Sequence, residues 1–199
     1  MEKTLKEIIR QRRTYYAIEN KSPVTNTEIE EIIRLAVTYL PSAFNSQSSR
    51  VVLLLNQHHI KLWTIVKETL RKMVPASAFE RTEQKIDAFA AGYGTVLYFE
   101  DQDVVRLLQT ENPSYADRFP VWSEHASAIH QLAIWMLLEE TGLGVSLQHY
   151  NPLIDEEVRQ TWELPGSWKL IAQMPFGTPI QEPAPKNSNP LEQRIRIFT

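Results

Sequence analysis

Apolar positions along the chain fall into helical segments in seven places and into short continuous runs in four others. Residues 2–12 place Leu5, Ile8 and Ile9 on one helical face. Thr25 with Glu28, and Thr27 with Glu30, both have capping-box spacing: the hydroxyl satisfies a free amide and the carboxylate reaches back. They open a helix whose Ile29, Ile32, Ile33, Ala36, Val37 and Leu40 repeat at i, i+3 and i+4 until Pro41 stops it. Val51–Leu55 has the unbroken apolar character of a strand buried on both faces. Leu62, Ile65, Val66, Leu70 and Met73 predict a further amphipathic helix ending near Pro75, and Ser77 with Glu80 predicts the cap of the next, through Ala91. Thr95–Phe99 reads as a strand and Asp103–Gln109 as a short helix.

The longest helical stretch, 122–141, is apolar nearly all round, which predicts burial inside the domain or in a subunit interface. Gly142 is placed to end it. Val145–Gln148 and Trp168–Met174 read as strands with a short helix, Asp155–Trp162, between them. From Thr178 to Asn189 the chain is rich in Pro, Asn and Ser and lacks periodicity, so it is expected to be an extended arm. Ile195, Ile197 and Phe198 then alternate with Arg194 and Arg196 as a terminal strand. The pattern predicts one α+β domain over residues 1–199, with residues 178–199 as a C-terminal arm and strand.

Composition narrows the chemistry. With no cysteine among 199 residues, thiol catalysis, disulfide scaffolds, Cys-ligated zinc and iron–sulfur clusters are excluded. No apolar run approaches the ~20 residues that span a bilayer, and the charged N-terminal stretch lacks the apolar core of a secretory signal. A cytoplasmic protein without membrane partners is expected. The net charge of −3 argues against nucleic-acid binding. That charge is unevenly spread: residues 1–13 sum to +3 and residues 186–199 to +2, leaving −8 between them. The five histidines have no metal-ligand spacing, and phosphate-cradling glycine loops and the G-x-S-x-G elbow are absent from the sequence.

Three segments stand out. Arg12-Arg13-Thr14 offers two guanidiniums and a hydroxyl in a row, which suits either a phosphate clamp or a solvated helix end. The run from Pro41 to Arg50 concentrates small and amide side chains just before a strand, and a planar amide can read a heterocycle edge. Gly142-Leu143-Gly144 leads through a strand to Gln148 and His149.

Together these segments resemble the FMN-dependent nitroreductases. The motif R-R-[ST] stands at Arg12, Arg13 and Thr14, and P-S-x-x-N-x-Q at Pro41, Ser42, Asn45 and Gln47. G-L-G-x-x-x-Q stands at Gly142, Leu143, Gly144 and Gln148, and a late basic residue at Lys186. Phe44, Ser49-Arg50, the run from Arg118 to Ser123 and the run from Gln148 to Pro152 are similar to the fatty-acid-repression-mutant (Hbn-type) subgroup. The resemblance implies a nitroreductase-like α+β sandwich: a mostly antiparallel central sheet, surrounding helices, and an intertwined homodimer with a C-terminal arm. It implies FMN as cofactor, NAD(P)H as co-substrate and a small-molecule electron acceptor, nitroaromatic or quinone-like, reduced by a ping-pong mechanism. Arg12, Arg13 and Lys186 would then neutralise the FMN phosphate, with Thr14 adding a hydroxyl. Pro41, Ser42, Asn45 and Gln47 would reach the flavin from the other subunit, and amides near Gln148 and His149 would meet its N5 edge. Phe119 and Trp122 are candidates for the substrate wall over the flavin or for core packing. Where many members carry a basic residue two positions after the Ser/Thr, this chain has Tyr16. The resemblance names no catalytic side chain. The alternative function is a flavin-binding regulatory or redox-sensing protein with little turnover.

Overall fold

The computed structural model describes residues 3–199; Glu2, assigned by its sequence to the first helix, lies outside them. Helix α1 spans Leu5–Gln11, capped by Thr4 in a reciprocal box with Glu7. After the two-residue strand β1 (Ile18–Glu19), helix α2 covers Asn26–Tyr39, and Thr25 with Glu28 forms its cap as the spacing predicts. Thr27 lies within that helix instead. Strand β2 (Ser49–Leu55) runs into α3 (Asn56–Arg71), and α4 follows over Ala76–Ala90. The Ser77–Glu80 cap is not formed: α4 starts directly after Pro75, whose fixed φ already suits a helix entry.

Strand β3 (Gly94–Asp101), α5 (Gln102–Glu111) and the 22-residue α6 (Phe119–Glu140) come next. They are followed by β4 (Gly144–Val145), α7 (Asp155–Thr161) and β5 (Trp168–Pro179). The strands form one antiparallel sheet in the order β1-β5-β3-β2, with β4 also paired to β5. Strand β5 outlasts its expected end at Met174. Pro175 loses only its donor, while its carbonyl still accepts the Ser146 N–H at 3.1 Å.

One face of the sheet packs on α2 and α6 through Ile29, Val96, Tyr98, Ile134 and Leu138, the other on α3 and α4 through Leu62, Trp63, Phe89 and Leu97. Inside the second layer, His59 is 1% exposed, with Nδ1 2.8 Å from Thr95 Oγ1 and Nε2 3.2 Å from the Ala90 carbonyl. Trp63 donates to the same Thr95 oxygen, so Thr95 donates to Nδ1 and the His59 proton sits on Nε2. Burial lowers the pKa of His59 from 6.5 to about 4. The unfolded chain therefore binds the extra proton between those values, and stability falls as pH drops through that window. The expected loss is about 3 kcal/mol between pH 6.5 and 4, measurable by denaturant unfolding of wild type against a neutral His59→Gln control whose acid loss is smaller.

Within the single chain, strand β2 and the terminal segment come out differently from expectation. Helix α6 is buried on one side, while its other side is left to the subunit-interface alternative. Strand β2 is an edge strand, so Val51, Val52, Leu53 and Leu55 are only half-buried within this chain. Helix α6 buries one face, and that face includes Ser123, Ser127, His130 and Gln131, whose polar atoms bond within the helix. Val121, Ile129 and Leu132 are 49%, 39% and 50% exposed on its other side. The terminal strand is not formed: Leu191–Gln193 makes a 3₁₀ turn, and Ile195, Ile197 and Phe198 beyond it are exposed. An alternating segment without a neighbouring strand has no ladder to join.

Candidate functional site

The basic ends meet in one cleft of about 510 Å³, lined by Arg12, Arg13, Thr14, Tyr15, Tyr16 and Ala17 on one side and residues 181–186, ending at Lys186, on the other. Three contacts hold Arg12 and Arg13 in place. The Arg12 guanidinium lies over the Trp135 ring, 4.7 Å from its centroid. Arg13 donates its backbone N–H to Glu139 Oε1 at 3.0 Å and a guanidinium N–H to the Ala184 carbonyl, which ties the arm to the cleft. The segment after them is pinned by Tyr15 N–H donating to the Val145 carbonyl at 3.0 Å.

That approach needs Gly144. A Cβ there would lie 2.8 Å from Pro179 Cγ and 3.0 Å from Tyr15 Cβ. The second glycine of the G-L-G turn thus lets the Arg12–Tyr16 segment lie along β4. Gly142, at φ +93°, is the left-handed residue that ends the α6 region, as expected. Gln148 is nearly buried, paired with Gln173 through both backbone amides at 2.7 and 2.9 Å, whereas His149 is exposed. Gln148 and His149 lie outside the lining of the basic cleft.

The Pro41–Gln47 loop is placed elsewhere. Pro41 and Ser42 line a shallow pocket of about 350 Å³ with Trp122, His125, Ala126 and Ile129 of α6. Phe44, Asn45 and Gln47 hold positive φ values of 55°, 49° and 48°, a region costly for residues with a Cβ, most so for Phe44. The surroundings hold this strain. Ser42 Oγ accepts the Gln47 N–H at 3.0 Å, and Arg50 donates to the Gln47 carbonyl at 2.6 Å and pairs with Asp101 at 3.0 Å. Ser48 and Ser49 donate to Glu100, which is fully buried and whose carboxyl burial pushes up, against the pull of the two serine bonds.

Phe44 stacks on Trp122 with centroids 5.7 Å apart and meets Phe119 edge-on at 5.2 Å; Tyr115 completes the group. Phe119 is buried and packs, while Trp122 is half-buried and shares the exposed aromatic patch. Among the described residues no group of three or more acidic or histidine side chains is arranged to hold a metal ion, and no helix is long and apolar enough to cross a membrane.

Residues 9–178 match the model of the nitroreductase family. The chain belongs to the nitroreductase family. Two Saccharomyces cerevisiae proteins are similar over most of their length. HBN1 is 34% identical over 189 residues, covering 94% of this chain and 93% of its own. The nitroreductase FRM2 is 32% identical over 180 residues, 89% of each. Among solved structures, the nitroreductase CinD from Lactococcus lactis in complex with nicotinic acid superposes with a TM-score of 0.90 at 41% identity, covering 98% of this chain and all of that one. The same protein in complex with 4-nitrophenol gives 0.89 and 40%, with the same coverage. This nitroreductase is accordingly an oxidoreductase of the class acting on nitro compounds, with the nitroreductase-like α+β fold its motifs imply.

Three residues with evident roles at these surfaces escape the motif reading: Glu139, Trp135 and Glu100. Glu139 carried a signal. An acidic residue in the last turn of a helix opposes the helix dipole, and α6 has no basic residue there to offset it. Glu100, at the end of a strand, carried none.

Proposed function

We propose that this nitroreductase is a homodimeric, FMN-dependent enzyme that passes two electrons from NAD(P)H to nitroaromatic or quinone-like acceptors in ping-pong order. The observation that carries the reading is the convergence of Arg12, Arg13, Thr14 and Lys186, from opposite ends of the chain, on one cleft. Two guanidiniums, an ammonium and a hydroxyl suit a phosphate monoester, and the cleft volume falls in the range of small-ligand sites. Bound FMN would supply the redox chemistry, accepting a hydride from the nicotinamide and returning two electrons to the acceptor.

The chain's own residues bind and orient. Arg12, Arg13 and Lys186 neutralise the phosphate and Thr14 donates to it. The Gln148 and Tyr150 N–H groups are held by Gln173, so of the amides near Gln148 and His149 it is that of His149 that would meet the ring edge. Pro41, Ser42, Asn45 and Gln47 lie outside the lining of this cleft, so their contacts to ring and ribityl chain come from a second copy. The apolar stripe of α6 supplies a surface for that copy, and the exposed Ile195, Ile197 and Phe198 supply another. In the dimer the terminal segment becomes the strand its alternation predicts, by adding to an open sheet edge of the partner. Phe44 and Trp122 form a flat aromatic wall for a planar acceptor, with Phe119 buttressing it. The CinD complexes with nicotinic acid and 4-nitrophenol, one ring related to nicotinamide and one a nitroaromatic, support both half-reactions.

Anaerobic titration with NADH and NADPH tests the reading. The visible flavin band should bleach with about one equivalent of the preferred nucleotide, and a nitroaromatic should restore it. A bound flavin that neither nucleotide reduces would contradict the enzyme reading and favour a flavin-binding sensor.

A further inference from the structure

We propose that Glu139 is a positioning residue for the Arg12–Arg13 clamp, acting through its hydrogen bond to Arg13 while its negative charge opposes the ligand the clamp receives. This rests on the proposed phosphate-binding role of the cleft.

Glu139 lies in the last turn of α6, 7% exposed, directly behind the two arginines. One carboxylate oxygen accepts the Arg13 N–H at 3.0 Å, fixing the backbone where the chain leaves α1. One turn earlier on the same helix, Trp135 carries the Arg12 guanidinium on its face. The end of α6 therefore grips the side chain of one arginine and the backbone of the next, and it sets the direction in which both leave the backbone. The second oxygen, Oε2, is buried and has no hydrogen-bond partner in bonding geometry among the described residues, and the Trp135 indole N–H one turn earlier is likewise unpartnered. A phosphate brought to the clamp meets the Glu139 charge across the arginines.

The groups around Glu139 are Lys3 ahead of α1, Arg12 and Arg13 after it, and Tyr15 on the following segment. Glu182 and Lys186 line the arm side of the same cleft. Burial raises the Glu139 pKa, with Arg13, Arg12, Lys3 and the Trp135 indole drawing it back down.

Two substitutions separate the bond from the charge. Glu139→Gln keeps an oxygen acceptor for the Arg13 N–H and removes the charge; Glu139→Ala removes both. FMN titrated into the apoprotein, followed by flavin fluorescence quenching, should bind the Glu139→Gln protein about fivefold tighter than wild type at neutral pH. The Glu139→Ala protein also lacks the charge but has a loosened Arg13, and should bind FMN about three- to tenfold more weakly than the Glu139→Gln protein. Riboflavin, which lacks the phosphate, should bind all three proteins alike. The gap between wild type and Glu139→Gln should close on acidification, as Glu139 takes up its proton. FMN binding unchanged by Glu139→Gln, or equal in the two variants, would overturn the inference while leaving the FMN reading standing. Failure of the wild-type protein to bind FMN at all would overturn both.

Discussion

Arg13→Ala is expected to weaken FMN binding about 10- to 150-fold, the equivalent of a charge-assisted hydrogen bond worth ~1.5–3 kcal/mol. The upper part of that range is favoured by a second loss. Arg13 also donates to the Ala184 carbonyl, and this bond ties the arm to the cleft two residues before Lys186. Without it the arm lacks that anchor, and the third cation becomes less well placed. Riboflavin binding should change far less than FMN binding, because the role proposed for the guanidinium is toward the phosphate. Parallel titrations of wild-type and variant apoprotein with the two flavins measure both effects. Equal losses for FMN and riboflavin would assign Arg13 to general structure; no loss for either would remove it from the site.

Leu132→Arg is expected to turn the proposed dimer into a monomer and to abolish FMN retention. Leu132 is 50% exposed in the single chain, in the same stripe of α6 as Val121 and Ile129. An isologous interface carries each substitution twice, and a guanidinium in its apolar centre would be desolvated without a partner. The basic cleft lies elsewhere and keeps all its residues, so loss of FMN would report the missing Pro41–Gln47 loop of the second copy. Sedimentation velocity and flavin content of the same sample give both readouts. Circular dichroism distinguishes a folded monomer from a misfolded chain. FMN retained by the monomer would show that one chain completes the site, against a site shared between two copies.

Much of this architecture is legible in the pattern of residues, and the gaps have physical causes. Local signals are the clearest: Thr25 with Glu28 caps α2, Gly142 ends the α6 region, and the amphipathic face of α3 buries Leu62, Ile65 and Val66. The convergence of Arg12, Arg13 and Lys186 is also foreseeable, from the uneven charge together with the family motifs. Features that depend on distant neighbours are not. The alternation at Arg194–Phe198 marks β propensity, yet a strand requires an edge to pair with. The apolar girth of α6 does not say which face the sheet covers, because its inner face carries serines, a histidine and a glutamine whose polar atoms bond within the helix. Glu139 belongs to no motif; its role appears only when α1 and the end of α6 are brought together across 126 positions of sequence.

Whether the cleft between the two basic ends holds FMN can be read by heat-denaturing the purified protein and identifying the released chromophore. A yellow protein that releases about one FMN per chain is expected, or a colourless one that takes up FMN to that stoichiometry. A dimer that is colourless and does not bind added FMN would contradict the assignment.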